Sequence, residues 1–202
     1  MAVSADNIRK LRESTGAGIM DCRKALEDTD GSIEKAVALL REQGAAKALA
    51  KEGRKAEEGV VMAYVHHGGK LGSLIELNCE TDFVARNEEF VTLARELAMQ
   101  VAATSPKYVT KEEVPAEVIE SQRAEAREQA ATLGRDSEAH IRDKVEQFIS
   151  NACLMEQPYI RDAAVTVQSL ITDKVAKFGE RMRVKRFTVF KLGEGVEEGE
   201  NK

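Results

Sequence analysis

Apolar residues recur at helical spacing over most of this chain and switch to alternation in two places. From Phe90, the positions Leu93, Ala94, Leu97, Ala98 and Val101 complete an i, i+3, i+4, i+7, i+8, i+11 stripe, which predicts an amphipathic helix with one face against a sheet. A second stripe, Ile141, Val145, Phe148, Ile149 and Ala152, predicts another core helix that ends before Gln157-Pro158. Between them, Thr104-Ser105-Pro106 stops the first helix, and Thr110 and Glu113 stand at capping-box spacing ahead of Pro115. Residues 116–131 are mostly charged, with Val118, Ile119 and Ala126 apolar, so that helix is expected to be largely exposed, with Gly134 separating it from the next. Alternation appears in Val60–His66 and Leu71–Cys79, which flank His67-Gly68-Gly69-Lys70 and predict a hairpin. It returns in Arg181–Leu192, with Phe187 and Val189 on one face and Phe190 and Leu192 on the other, predicting a third strand beside the hairpin. Before that strand, Val167, Leu170 and Ile171 predict a helical turn or two, and Val175–Phe178 a short helix stopped by Gly179.

The first forty or so residues read as three short helices. Ser4 caps the first, with Ile8 and Leu11 inward; Gly18 opens the second, which carries Met20, Cys22, Ala25 and Leu26; and Ser32 caps the third, with Ile33, Val37 and Leu40 on one face. The Thr15-Gly16-Ala17-Gly18 turn lacks the preceding strand and the GK[ST] of a phosphate loop, and reads as a tight helix connection that needs positive φ. The expected organisation is a helical module over 1–44, a partly helical linker over 45–58, a core domain over 59–192 and a disordered acidic tail over 193–202. Helices, hairpin, helices and strand in that order make the fold class α+β, with a three-stranded antiparallel sheet packed by helices.

Charge narrows the function. Thirty basic residues against 35 acidic, well mixed, leave a net charge of -5, which argues against direct nucleic-acid binding or an anionic membrane surface. No apolar run has the length of a membrane span, and the first residues lack the charged and apolar regions of a signal peptide, so a cytoplasmic location is expected. Cys22, Cys79 and Cys153 are odd in number, far apart and without a CxxC pair, which argues against a disulfide framework or zinc knuckle. His66 and His67 sit at the hairpin turn and Cys79 at the far end of its strand, roughly 25 Å away at 3.3 Å per residue, so the three do not form a metal site. An enzyme built on Cys79 or Cys22 as nucleophile has no histidine with a reason to lie beside either.

The stretch Asn78–Asn87 is the junction between the last hairpin strand and the long helix. Two helix starts compete there: Thr81 or Asp82 can cap a helix that runs straight on, or the chain can turn and begin again at Asn87. In the first case Phe83 lies seven residues before Phe90 on the same stripe and is core; in the second, an aromatic ring and a carboxylate are presented on a turn. Spacing alone favours the buried reading.

Two signatures resemble the bacterial elongation factor Ts family in its short form. Leu11–Leu26 matches the family's N-terminal pattern except for Ile19 and Arg23, and Glu80-Thr81-Asp82-Phe83-Val84-Ala85 matches its TDFV motif. Glu156-Gln157-Pro158-Tyr159 resembles the family's later EQP segment, and the likeness runs from about Ser4 to Leu192. The chain is too short for the extra coiled-coil subdomain of longer members. The resemblance implies a UBA-like N-terminal module, an α+β core, and a non-enzymatic guanine-nucleotide exchange factor that needs no cofactor and acts on the GTPase elongation factor Tu. It implies that Thr81, Asp82, Phe83 and Val84 disturb the partner's Mg2+ site, and that Leu11, Arg12 and Met20 dock the partner. On that reading Phe83 is a working residue and not core. A UBA-like binding module without exchange activity is the alternative, and an unpaired edge strand in the core permits a homodimer. Metal analysis of the purified protein is expected to find no stoichiometric zinc, and its melting temperature to be the same with and without reductant.

Overall fold

A computed structural model describes residues 3–132 and 138–194; the side chain of Thr132, the position of Gly134 and most of the tail expected over 193–202 lie outside the described residues. The elements are α1 (Ala5–Thr15), α2 (Ile19–Asp28), α3 (Ile33–Leu49), β1 (Glu58–Val65), β2 (Leu71–Cys79), α4 (Asp82–Ala85), α5 (Glu88–Thr104), α6 (Ala116–Thr132), α7 (Glu138–Ala152), β3 (Pro158–Tyr159), β4 (Asp162–Thr166), α8 (Val167–Phe178) and β5 (Arg183–Lys191). The fold is α+β, with a three-stranded antiparallel sheet in the order β1-β2-β5. The chain divides into two compact units, Met1–Gly59 with Asn78–Ala85 and Ser169–Arg183, and Val60–Leu77 with Arg86–Gln168 and Val184–Lys202.

In the first unit, α1, α2 and α3 close around Leu11, Cys22, Ala25, Leu26 and Ala36, with Ile8, Ile33, Val37 and Leu40 packed at the margin. The caps are those the sequence predicts: Ser4 Oγ accepts from the Asn7 N–H at 3.1 Å and Ser32 Oγ from the Lys35 N–H at 3.4 Å. Gly16 adopts φ 69°, the left-handed conformation that ends α1, so the tight connection rests on this glycine, while Gly18 has φ -61°. The third helix runs on past Gly44 to Leu49, and Gly44 packs against α8. A Cβ at Gly44 would lie 3.2 Å from the Ala176 Cβ, so Gly44 sits inside the helix as a point of close approach.

The second unit is built on α5, whose whole predicted stripe from Phe90 to Val101 is buried. Its Ala98 carbonyl accepts a 2.7 Å hydrogen bond from the buried Ser73 hydroxyl of β2. Gln100, on the same helix and fully buried, donates to Gln157 Oε1 at 3.0 Å and to the Pro158 carbonyl at 3.2 Å, and accepts from the Ile160 N–H at 2.8 Å. Gln157, also buried, donates to the Asn151 carbonyl at 2.8 Å and accepts from the Thr104 hydroxyl at 2.7 Å. Every polar end of this pair is therefore matched inside the core. α6 buries Ala126 and Ala130, and α7 buries Ile141, Val145 and Ala152.

Four expectations change. Thr110 makes no side-chain cap; a short 3-10 turn, Lys111–Glu113, stands there instead, and the Glu113 carboxylate accepts from the Val109 N–H at 2.9 Å. The segment after Pro158 forms the small hairpin β3–β4, with Tyr159 opposite Asp162, which its two-residue first strand is too short to signal in sequence. The two helical pieces expected over 167–178 are one helix, α8, because Thr172, Asp173 and Lys174 continue it. The third strand begins at Arg183, not Arg181, since Arg181 is held elsewhere by its backbone N–H. Phe90 has no exposed surface, so Phe90→Ala is expected to lower the unfolding free energy by about 3 to 5 kcal/mol in a denaturant melt.

Candidate functional site

Both helix starts that compete in the Asn78–Asn87 junction are used. Thr81 Oγ1 accepts from the Val84 N–H at 3.4 Å and begins the single turn α4, and Asn87 Oδ1 then accepts from the Glu89 N–H at 2.9 Å and begins α5. Phe83 belongs to α4 and not to the α5 stripe, so the reading that buries it fails. Phe83 is 80% exposed, a large value for an aromatic side chain. Its neighbours divide by role: Asp82 is exposed, whereas Val84 and Ala85 are buried beneath the turn.

A four-residue helix has no stability of its own, and the turn is held from its N-terminal side. Glu180 Oε2 accepts from the backbone N–H groups of Glu80 at 3.1 Å and Thr81 at 3.0 Å, while Oε1 accepts from the Thr81 hydroxyl at 2.6 Å. In return, Glu80 Oε1 accepts from the Arg181 backbone N–H at 2.6 Å, and Glu80 Oε2 lies 3.3 Å from the Arg54 guanidinium. The Arg181 guanidinium donates to the Arg54 carbonyl, and Lys51 Nζ donates to the Gly179 carbonyl at 2.7 Å. The Arg181 N–H, with help from Arg54, holds the Glu80 carboxyl below the ordinary carboxylate range, against the opposing effect of burial.

Cys79 closes the underside. Burial, then the Glu180 charge, push its thiol up to about 11, so it stays protonated and donates to the Thr81 carbonyl at 3.2 Å. Its hydrogen bond supports the turn from below. Cys22 and Cys153 are likewise free and buried, each thiol raised chiefly by burial. Among the described residues, no cluster of three or more His, Cys, Asp and Glu is arranged to hold a metal ion, and no helix is long and apolar enough to cross a membrane.

Of the residues expected to dock a partner, Arg12 and Met20 are exposed, Met20 at 72%, and Ile19 beside it is exposed as well. Arg12 lines a shallow groove with Ile8, Gly16, Ile19 and Lys177. Leu11 is fully buried, so its side chain holds α1 against α2 and α3 and does not meet solvent. All seven expected site residues fall in the first unit, where Thr81 is hydrogen-bonded to Glu180. Sequence reading missed Glu180, Arg181 and Arg54. Glu180 follows a helix-stopping glycine as an ordinary surface residue would, and its partners lie some hundred positions away, so no local signal exposes it.

The sequence model of the family described as elongation factor TS matches residues 7–194. Curated relatives named elongation factor Ts include that of Thermotoga maritima, 52% identical over 199 residues that span 98% of this chain and 100% of that protein. The protein of Carboxydothermus hydrogenoformans is 48% identical over 96% of this chain and 91% of its own length, and that of Heliobacterium modesticaldum 49% over 96% and 92%. Because Phe83 is exposed, Phe83→Ala is expected to change the unfolding free energy by less than about 0.5 kcal/mol in the same denaturant melt that reads Phe90→Ala.

Proposed function

The chain belongs to the elongation factor Ts family, and from that premise we propose that it is a guanine-nucleotide exchange factor which binds elongation factor Tu in its GDP form and speeds GDP release. The observation that carries the reading is Phe83, standing almost wholly in solvent on a turn whose backbone is pinned by a carboxylate. An exposed aromatic ring costs solubility and gives nothing to the fold, whereas a ring on a fixed support can be driven into another protein without first being ordered.

The energetics follow from linkage. A protein that binds the nucleotide-free GTPase more tightly than the GDP form must weaken GDP by the same factor. A ten-thousandfold acceleration of release asks for about 5.5 kcal/mol of differential interaction. Phe83, entering the partner near its Mg2+ site, displaces packed elements there. Asp82 beside it brings a negative charge toward a site whose cation neutralises the phosphates, so the hold on both ion and nucleotide weakens. Arg12 and Met20 make contacts that persist across nucleotide states and add affinity without selectivity for the released state. Leu11 acts from below by fixing the helix that carries Arg12. GTP then refills the partner, the differential contacts are lost, and the factor dissociates; no bond is made or broken by this chain.

Stopped-flow release of a fluorescent GDP from elongation factor Tu tests the division of labour. Phe83→Ala is expected to lower the maximal release rate by roughly one hundredfold while leaving the half-saturating concentration nearly unchanged, the signature of an interaction made at the release barrier. Met20→Ala is expected to raise the half-saturating concentration and spare the maximal rate. A Phe83→Ala variant that releases GDP at the wild-type rate would reject the exchange role of the turn and leave a docking module without exchange activity.

A further inference from the structure

The exchange of bonds between two carboxylates and two chain segments assigns a role to a residue outside the TDFV motif. We propose that Glu180 is a positioning residue for exchange, holding the Thr81–Phe83 turn in its presented form; this rests on the reading of Phe83 given above. Three observations carry it together. Both oxygens of Glu180 are spent on the turn: Oε2 on the N–H groups of Glu80 and Thr81, Oε1 on the Thr81 hydroxyl. Bonds to an ionised acceptor are the strong class, and three of them converge on the two residues that immediately precede Asp82 and Phe83.

The competing supports are weaker. The Thr81 cap onto the Val84 N–H is long at 3.4 Å, and the Ala85 N–H bonds the Thr81 carbonyl at 3.2 Å. Burial of Val84 and Ala85 fixes the far side of the turn but not the torsions at Thr81.

The anchor behind Glu180 is firm. It follows Gly179, whose φ of 73° ends α8, and α8 buries Ile171 and Val175. Lys51 holds the Gly179 carbonyl, and the Arg181 N–H is held by Glu80. Glu180 therefore transmits the rigidity of a helix end to a turn that lacks its own.

Removing the side chain leaves two backbone N–H groups free to turn to water, and the turn then samples conformations in which Phe83 is not presented. Such a change lowers the fraction of encounters that reach the release barrier without removing a docking contact. Glu180→Ala is thus expected to lower the maximal GDP-release rate roughly tenfold with the half-saturating concentration within about twofold of wild type. Glu180→Gln keeps one acceptor oxygen for the two N–H groups and is expected to recover the rate to within about threefold of wild type. In a Phe83→Ala background, Glu180→Ala should add less than about twofold, because a positioning residue has nothing left to position.

A second readout does not depend on exchange. The chain has no tryptophan, so Phe83→Trp supplies a sole indole at the turn, and its fluorescence anisotropy should fall when Glu180→Ala is added, at a temperature where both variants are folded. The inference is overturned by an unchanged release rate in Glu180→Ala, by multiplicative losses in the double variant, by a Glu180→Gln variant no better than Glu180→Ala, or by equal anisotropy in the two tryptophan variants. Should Phe83→Ala itself leave release unchanged, the exchange reading fails, and the anisotropy pair still decides whether Glu180 holds the turn.

Discussion

Two carboxylates that each accept the other segment's backbone N–H are the constraint on which the first unit depends. Glu80 leaves the end of β2 and takes the Arg181 N–H; Glu180 leaves the end of α8 and takes the N–H groups of Glu80 and Thr81. Side-chain acceptors are needed because each segment has just left regular structure, and its amides would otherwise have no partner. Donors serve both carboxylates, Arg54 and the Arg181 N–H on Glu80 and the Glu80 N–H with the Thr81 groups on Glu180. Lys51 reaches the same corner, so the connection after α3 is tied in at the same place.

This arrangement explains how one short motif can meet opposite demands. Within Thr81-Asp82-Phe83-Val84, the first residue bonds to the scaffold, the next two face solvent and the last is buried. A longer helix could not do this. Continuing α4 into α5 without the break at Asn87 would carry Phe83 round to the face that holds Phe90, and the ring would be lost to the core. The interruption that makes the segment ambiguous in sequence is thus what makes it available for binding.

Most of the architecture was legible because it rests on local periodicity and capping. The α5 stripe, the caps at Ser4 and Ser32 and the glycine hairpin each follow from residues within a few positions of one another. The motifs, too, are contiguous, so Asp82 and Phe83 could be singled out by resemblance although spacing alone favoured burying Phe83. What could not be read was set by distant partners. Nothing near Gly44 signals the close approach of Ala176; Arg181 reads as strand until Glu80 claims its N–H; and the hairpin Pro158–Thr166 is too short to show a period. Leu11 shows the reverse case, a residue within a matching pattern that belongs to the core.

The buried amide pair Gln100–Gln157 carries a consequence for how such a sequence can drift. Each glutamine satisfies the other, and together they donate to the Pro158 and Asn151 carbonyls and accept from the Ile160 N–H and the Thr104 hydroxyl. Replacing one by leucine strands the other's amide in a dry core, at roughly 1 to 3 kcal/mol for the orphaned group, whereas replacing both together removes demand and supply alike on that shared bond. The backbone groups of Pro158 and Ile160 would still call for partners. Neither position can be changed alone without that cost, and the glutamine of the Glu156-Gln157-Pro158 segment is tied to a helix residue that no reading of that segment would include.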